Sequence, residues 1–255
     1  MSDELTRDAF LGGRLHLWQP GRGYRAGVDP VLLAACVPAQ PGQSLLDLGC
    51  GAGAAALCLH ARISGLRLTG VERQAQYADL ARRNAHEAQA RMEVFEADLG
   101  HLPDAVKQAS FDHVIANPPY YQRQSRQAAV DSGREAALSE DTPLEVWIDV
   151  AARRLAPKGC LHVILRAERL PDLLSAVRGR LSSLELLPVT ARAGRDAHLI
   201  ILRARKTGRA AFRLHAPLVL HEGAHHERDG ESYRAEVSKI LRDAAPLDWP
   251  SASRK

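Results

Sequence analysis

The chain has 255 residues, 45% apolar and 25% charged, with 34 Lys plus Arg against 30 Asp plus Glu for a net charge of +4. A chain this long buries a core without staples, and its cysteines (Cys36, Cys50, Cys58 and Cys160) lack the spacing of a disulfide framework or a metal site. No apolar run reaches transmembrane length, and the opening MSDELTRDAF has neither the basic nor the apolar region of a leader. A cytoplasmic enzyme-sized chain with no membrane partner and no metal is the expectation.

Only five of the 34 cations are lysines; 29 are arginines. Arginine pairs with phosphate and stacks on bases. A GC-rich genome favours Arg, Ala, Gly, Pro and Leu together, and the scarcity of asparagine (only Asn84 and Asn117) points that way.

In chain order, residues 28–37 read as a helix with Asp29 as N-cap, Pro30 in first position and Pro38 as stop. From residue 44 strands and helices alternate. Strands are predicted at 44–48, 66–71, 92–97, 111–116 and 160–165, with helices at 54–63, 74–90, 143–155 and 171–181. Two further strands, 184–191 and 197–204, have no helical pattern between them and read as a hairpin. The fold class is therefore α/β: a doubly wound, mostly parallel sheet with one antiparallel strand. The division predicted is a helical and loop extension over 1–43, the main domain over 44–207, and a short appendage over 208–255. That appendage is polar and His-rich, with an apolar run at 218–220 and a helix at 232–243. Its histidines lack a cysteine partner and regular spacing, and no metal is expected there.

Asp47-Leu48-Gly49-Cys50-Gly51-Ala52-Gly53 lies between the first of these strands and its helix. Glycines there let the backbone turn sharply and approach a ligand. Glu72, 19 residues after Gly53, ends the next strand and can accept both hydroxyls of a ribose. Read as Gly49-x-Gly51-x-x-Ala54, the loop also satisfies the nicotinamide fingerprint. A tight turn in any doubly wound sheet explains it too. Asp47, within the loop motif, would repel a pyrophosphate but attract a cationic amino-acid moiety. Asp98 ends the third strand and can accept from an adenine amino group. Three acids at three successive strand ends suit S-adenosylmethionine, which carries an ammonium, a sulfonium, a ribose diol and an adenine amine.

Asn117-Pro118-Pro119-Tyr120 ends the fourth strand. The lone pair of an adenine amine or an amide is delocalised and poorly nucleophilic. An Asn side-chain oxygen and the Pro118 carbonyl can accept its two N–H bonds, and prolines keep those acceptors rigid. Tyr120 can stack on a planar substrate. A rigid loop is the plain alternative. His113, inside the strand, reads as structural.

Together these residues resemble the class I S-adenosylmethionine-dependent methyltransferases that modify planar amines. The resemblance implies a seven-stranded sheet whose last strand is antiparallel. It places Asp47, Gly49, Gly51, Gly53, Glu72, Asp98, Leu99 and Asn117 on the cofactor, which leaves as S-adenosyl-L-homocysteine. It makes Asn117, Pro118 and Tyr120 catalytic, with Tyr120, Tyr121 and Arg123 on the substrate. Three stretches are further similar to bacterial tRNA(Val) adenine-N6-methyltransferases: the segment from Arg25 to Ala35, the doubled Tyr120-Tyr121, and the tail with Tyr233-Arg234-Ala235-Glu236. That group implies an adenine beside a tRNA anticodon as target. The tail departs by ending in a charged and polar stretch instead of an aromatic one. Ribosomal guanine-N2 methyltransferases, protein glutamine-N5 methyltransferases and a non-catalytic RNA-binding module stay open as alternatives.

Residues 192–213 hold seven cations against Asp196 alone, a net +6, so the rest of the chain is slightly acidic. Arg192, Arg195, Arg203, Arg205 and Arg209 are the expected phosphate contacts; a charged edge strand is the plain alternative. Residues 122–134 read as a lid over the substrate. A monomer or homodimer is equally compatible with the sequence.

Overall fold

The computed structural model describes residues 4–119, the backbone of 121–122 and 139–140, residues 142–223, and residues 232–249. Calls on 123–138, including Arg123 and most of the expected lid, lie outside the described residues, as does Tyr120.

The first element is one the sequence hid. β1 (Leu5–Phe10) and β2 (Leu15–Pro20) form an antiparallel hairpin, with Leu5 opposite Pro20 and Phe10 opposite Leu15. This corrects the helix-and-loop reading of that stretch. The connecting turn carries its signal in Gly12-Gly13, both at positive φ, but it begins with a buried leucine, Leu11, instead of a polar residue. Arg7 and Asp8 also interrupt the apolar alternation of β1. Then comes α1 (Val28–Ala35), whose N-cap is Gly27. Asp29 is not the cap but sits in the first turn, where a carboxylate faces the positive helix end.

The main sheet is built from β3 (Ser44–Leu48), β4 (Arg67–Glu72), β5 (Met92–Glu96), β6 (Phe111–Ala116), β9 (Leu155–Arg166), β10 (Ser182–Thr190) and β11 (Ala197–Arg205). Between β6 and β9, two-residue strands β7 (Tyr121–Gln122) and β8 (Ser139–Glu140) pair parallel with each other. The helices are α2 (Ala54–Arg62), α3 (Ala75–Glu87), α4 (Asp104–Gln108), α5 (Leu144–Arg154) and α6 (Leu170–Val177). Spatial order is β5-β4-β3-β6-β9-β11-β10. β11 runs antiparallel to both β9 and β10, and the other pairs along that path between β5 and β9 are parallel. The expected doubly wound sheet with one antiparallel strand is therefore present.

Two additions carry the sheet to nine strands. β12 (Arg213–Leu214) and β13 (Leu218–Val219) pair parallel with the outer edge of β10, at Glu185–Leu186 and Val189–Thr190 respectively. Pro188, which has no N–H to offer, lies in the gap between them. Two-residue strands are too short to show alternation, which is why the sequence concealed β12.

One sheet face is covered by α1, α2 and the hairpin, with Leu17, Leu32, Leu33 and Leu57 fully buried; α5 and α6 cover the other around Trp147, Ile148, Leu161 and Leu173. The tail helix α7 (Ala235–Asp243) joins the first core through Val237 and Ile240. A Cβ added at Gly12 would lie 2.6 Å from the carbonyl oxygen of Arg242, so the hairpin turn and the tail touch through backbone. Leu247 N–H donates to the Ala35 carbonyl (2.9 Å) and the Trp249 indole to the Cys36 carbonyl (3.1 Å). Among the described residues no helix is long and apolar enough to cross a membrane.

Candidate active site

A cleft opens at the C-terminal ends of β3, β4 and β6, where the strand order turns back on itself. That is where open α/β sheets place ligands. Asp47, Gly49, Gly51, Glu72, Asp98, Leu99, Asn117, Pro118 and Pro119 all line it. The sequence-predicted residues thus converge, with Gly53 just behind them starting α2.

Gly49, Gly51 and Gly53 all have positive φ, at 63°, 53° and 85°. At Gly49 space is decisive as well: an added Cβ would lie 2.5 Å from the Trp147 ring. The loop is held against β4 by Glu72, whose Oε2 accepts from Gly51 N–H (2.9 Å) while Oε1 accepts from Gln74 N–H (2.8 Å). Burial raises the Glu72 pKa, and those backbone donors oppose the rise. Each carboxylate oxygen retains a second lone pair for a ribose hydroxyl.

Asp47 is 3% exposed and its Oδ2 has no hydrogen-bond partner. Burial pushes its carboxyl up to about 8, against a backbone hydrogen bond from Ala56 and with the Glu72 charge adding to the rise. A buried carboxyl without a countercharge favours a cationic group beside it. Asp98 Oδ1 accepts from Gly100 N–H (2.7 Å), capping the short turn Leu99–His101 while its side chain faces the cleft. These donor and acceptor sets fit S-adenosylmethionine.

Asn117 follows β6 directly. Its Nδ2 donates to the Tyr24 hydroxyl (3.4 Å), and its Oδ1 is buried with no partner. Tyr24 is in turn fixed by the Tyr77 hydroxyl, which donates to its backbone carbonyl (3.0 Å). Burial, with Asp29, Tyr77 and Asp47 nearby, drives the Tyr24 pKa far up, so the phenol stays neutral. Sequence reasoning missed Tyr24, Gln19 and Trp147, all of which line the cleft. Gln19 Oε1 accepts from Ala26 N–H and its Nε2 donates to Asp8, both at 2.7 Å, and Asp8 also accepts from Arg25 (2.7 Å). The hairpin therefore fixes the loop carrying Tyr24. Tyr24 follows a Pro20-Gly21-Arg22-Gly23 run that signals only a loop, and an aromatic residue set in such a loop was the hint.

The arginines divide differently from the expectation. Arg192 is 8% exposed and donates to the Glu222 and Gly223 carbonyls and to Ser232 Oγ, so it ties the β10–β11 turn to the tail. Arg203 pairs with Glu185 (2.7 Å) and lies 4.4 Å over the Trp249 ring. Both guanidiniums are engaged inside the protein, which corrects their reading as phosphate contacts. The +6 segment is also not one surface. Because β11 runs antiparallel, the turn with exposed Arg195 sits at the cleft end of the sheet, near Arg166 opposite Leu199. Arg205, opposite Cys160, and Arg209 beyond it sit at the far end. His113 also lies away from the cleft, opposite Leu45 and 3.1 Å from Gln43 Oε1. Burial pushes its pKa down to about 4. Among the described residues no group of three His, Cys, Asp or Glu could hold a metal.

Residues 26–185 match the family model of the methyltransferase small domain. A curated relative from Porphyromonas gingivalis, named tRNA1(Val) (adenine(37)-N6)-methyltransferase, is 34% identical over 195 residues, 72% of this chain and 76% of its own. One of the same name from Actinobacillus succinogenes is 30% identical over 168 residues, 64% of this chain and 69% of its own. Among solved structures, a "predicted O-methyltransferase" from Agrobacterium tumefaciens is 29% identical. It superposes with a TM-score of 0.69, covering 86% of this chain and 98% of that one. A 16S rRNA N2 methyltransferase from T. thermophilus shares the fold, with a TM-score of 0.56 at 20% identity over 80% of this chain and 50% of that one. With the glycine loop, the buried acids and the Asn-Pro-Pro turn gathered in one cleft, the chain belongs to the methyltransferase small domain family.

Proposed function

We propose that this protein transfers a methyl group from S-adenosylmethionine to the exocyclic N6 of an adenine in RNA, a tRNA near its anticodon. The observation that carries the reading is the buried, unpartnered Oδ1 of Asn117 at the end of β6, in the same cleft as Asp47, Glu72 and Asp98. Adenine in tRNA is favoured over guanine in rRNA and glutamine in protein by the relatives' names, and catalysis over a binding-only module by the intact Asn117 and glycine loop.

Asp47 would face the cationic amino-acid end of the cofactor, Glu72 the ribose, and Asp98 with Leu99 the adenine. When bound, S-adenosylmethionine supplies an electrophilic methyl on a sulfonium. Asn117 Oδ1 and the Pro118 carbonyl accept the two N–H bonds of the target amine. That holds the nitrogen with its lone pair presented to the methyl that the cofactor would supply, the sulfur keeping the electron pair of the bond it gives up. The methylated nitrogen then loses a proton to water, so no strong base is needed before attack. Preorganised acceptors of this kind contribute through geometry that costs nothing to rearrange during the reaction. Tyr120, Tyr121 and Arg123 are the proposed substrate contacts beyond the prolines, and Arg195 the phosphate contact at the cleft end. The catalytic unit over 44–207 is completed from outside by Gln19 and Tyr24. The enzyme is proposed to act in the cytoplasm, as a monomer or homodimer.

The test is incubation with labelled cofactor and, separately, tRNA, rRNA, DNA and protein, followed by nucleoside analysis. N6-methyladenosine in tRNA is the expected product. Label in a protein glutamine or in guanine would overturn the reading.

A further inference from the structure

The far end of the sheet carries a second concentration of charge with no use in the cleft. Residues 205–213 contain Arg205, Lys206, Arg209 and Arg213 and no acid. Ala210 N–H donates to Ser183 Oγ (2.8 Å), which lays this segment along the start of β10. Arg178, at the end of α6, then shares a groove with Phe212. Arg178, Arg205, Arg209 and Arg213 are exposed, as is Phe212 at 53%. Among the described residues these four arginines make no ion pair, whereas their neighbours Arg180 and Arg203 are paired with Asp149 and Glu185.

Four guanidiniums without an acid partner at one end of the sheet, with Arg178 lining the same groove as an exposed aromatic ring, call for a partner bearing many negative charges and some planar faces. RNA has both: phosphates for the arginines and a base or sugar for Phe212. A second copy of this chain would bring the same cations face to face, and like charges juxtaposed across an interface are costly. β11 separates this patch from the β10–β11 turn by nine residues, about 27 Å at the usual strand rise. An RNA that seats an adenine at Asn117 and reaches the patch must extend along the sheet, which a stem does and a short loop does not.

We infer that the surface formed by Arg178, Arg205, Arg209, Phe212 and Arg213 is a second RNA-backbone contact, holding a stem of the substrate remote from the reacting base. The inference rests on the RNA reading above. It locates part of the substrate's binding energy at the end of the molecule opposite the chemistry. It would also explain why the cations are divided between two ends of the sheet instead of clustering at the cleft.

The experiment compares an unmodified full-length tRNA(Val) transcript with its isolated anticodon stem-loop, using wild type and the double variant Arg178→Glu/Arg213→Glu. Wild type is expected to show a KM at least tenfold lower for the full-length RNA. In the double variant that advantage should shrink toward onefold while kcat stays within twofold. The log–log salt slope for full-length RNA should flatten by about one to two, one phosphate contact per arginine. Equal melting temperatures show that both proteins are folded, and Phe212→Ala gives an independent, charge-neutral test with the same direction. A wild type with no preference for the longer RNA, or a double variant that keeps it, overturns the inference. So does a concentration-dependent dimer that the substitutions abolish while the KM ratio is unchanged. Failure to methylate either RNA instead removes the functional reading itself.

Discussion

Asn117 Nδ2 points at the Tyr24 hydroxyl, 3.4 Å away, and so the amide oxygen of Asn117 is left facing the cleft without a partner. The two residues are 93 positions apart, and the contact fixes which end of the amide the substrate meets. Tyr24→Phe keeps the ring and deletes the acceptor. It should lower kcat roughly fivefold to tenfold, the usual weight of one hydrogen bond, with cofactor affinity unchanged within about twofold. Asn117→Ala should cost on the order of a hundredfold to a thousandfold in kcat. Single-turnover rates check both, and an Asn117→Ala enzyme of normal rate would remove the mechanism.

Asp47 makes cofactor binding a proton-linked event. Its folded-state pKa of about 8 lies above its ordinary 3.8, so the empty protein takes up a proton there on folding. The stability this group supplies is full below about pH 4 and is lost as the pH rises through 8. A cation bound beside Asp47 reverses the preference and expels that proton. Calorimetry near pH 7 in buffers of different ionisation enthalpy should show proton release on cofactor binding, and Asp47→Asn should abolish it. A heat independent of buffer would refute the assignment.

Gly49 and Trp147 should behave as a coupled pair. Gly49→Ala drives a methyl into the indole and places an L-residue at φ 63°. A cost of about 2–4 kcal/mol is expected from overpacking together with backbone strain. In a Trp147→Leu background only the strain of about 1–2 kcal/mol should remain. A denaturant double-mutant cycle measures the difference, and additive costs would show that the ring is not the obstacle.

Arg192→Met should loosen the tail without touching RNA affinity. It deletes the bonds to the Glu222 and Gly223 carbonyls and to Ser232. Faster limited proteolysis near residues 222–232 is expected, with the salt dependence of RNA binding unchanged. A flattened salt slope would return Arg192 to the phosphate contacts.

Much of this site could be read from residue types because the sheet's period and the glycine loop leave local signatures. β6 ends where Asn117-Pro118-Pro119 must end it, and Asp47, Glu72 and Asp98 all lie within two residues of the C-terminal ends of their strands. What stayed hidden depends on distant partners. Of the two asparagines, Asn117 could be assigned from its neighbours in sequence. Asn84 could not: it bonds both the N–H and the carbonyl of Trp18 and also the carbonyl of Ala52, stapling β2 to α3 and the glycine loop. The basic run from 192 to 213 was visible as charge. Its division came from the antiparallel course of β11, which separates sequence neighbours by a strand's length. Internal partners, the tail carbonyls for Arg192 and Glu185 with Trp249 for Arg203, distinguish these two from the exposed Arg195.

The backbone contact between Gly12 and Arg242, and the indole bond from Trp249 to the Cys36 carbonyl 213 residues earlier, also set a schedule. The wall that carries Tyr24 is synthesised early, yet the helix that covers its supporting core is made more than two hundred residues later. Until α7 emerges, a growing chain displays the apolar side of α1 and the hairpin turn. Contacts of such long sequence separation fold slowly, and the interval is one in which a chaperone would have something to hold.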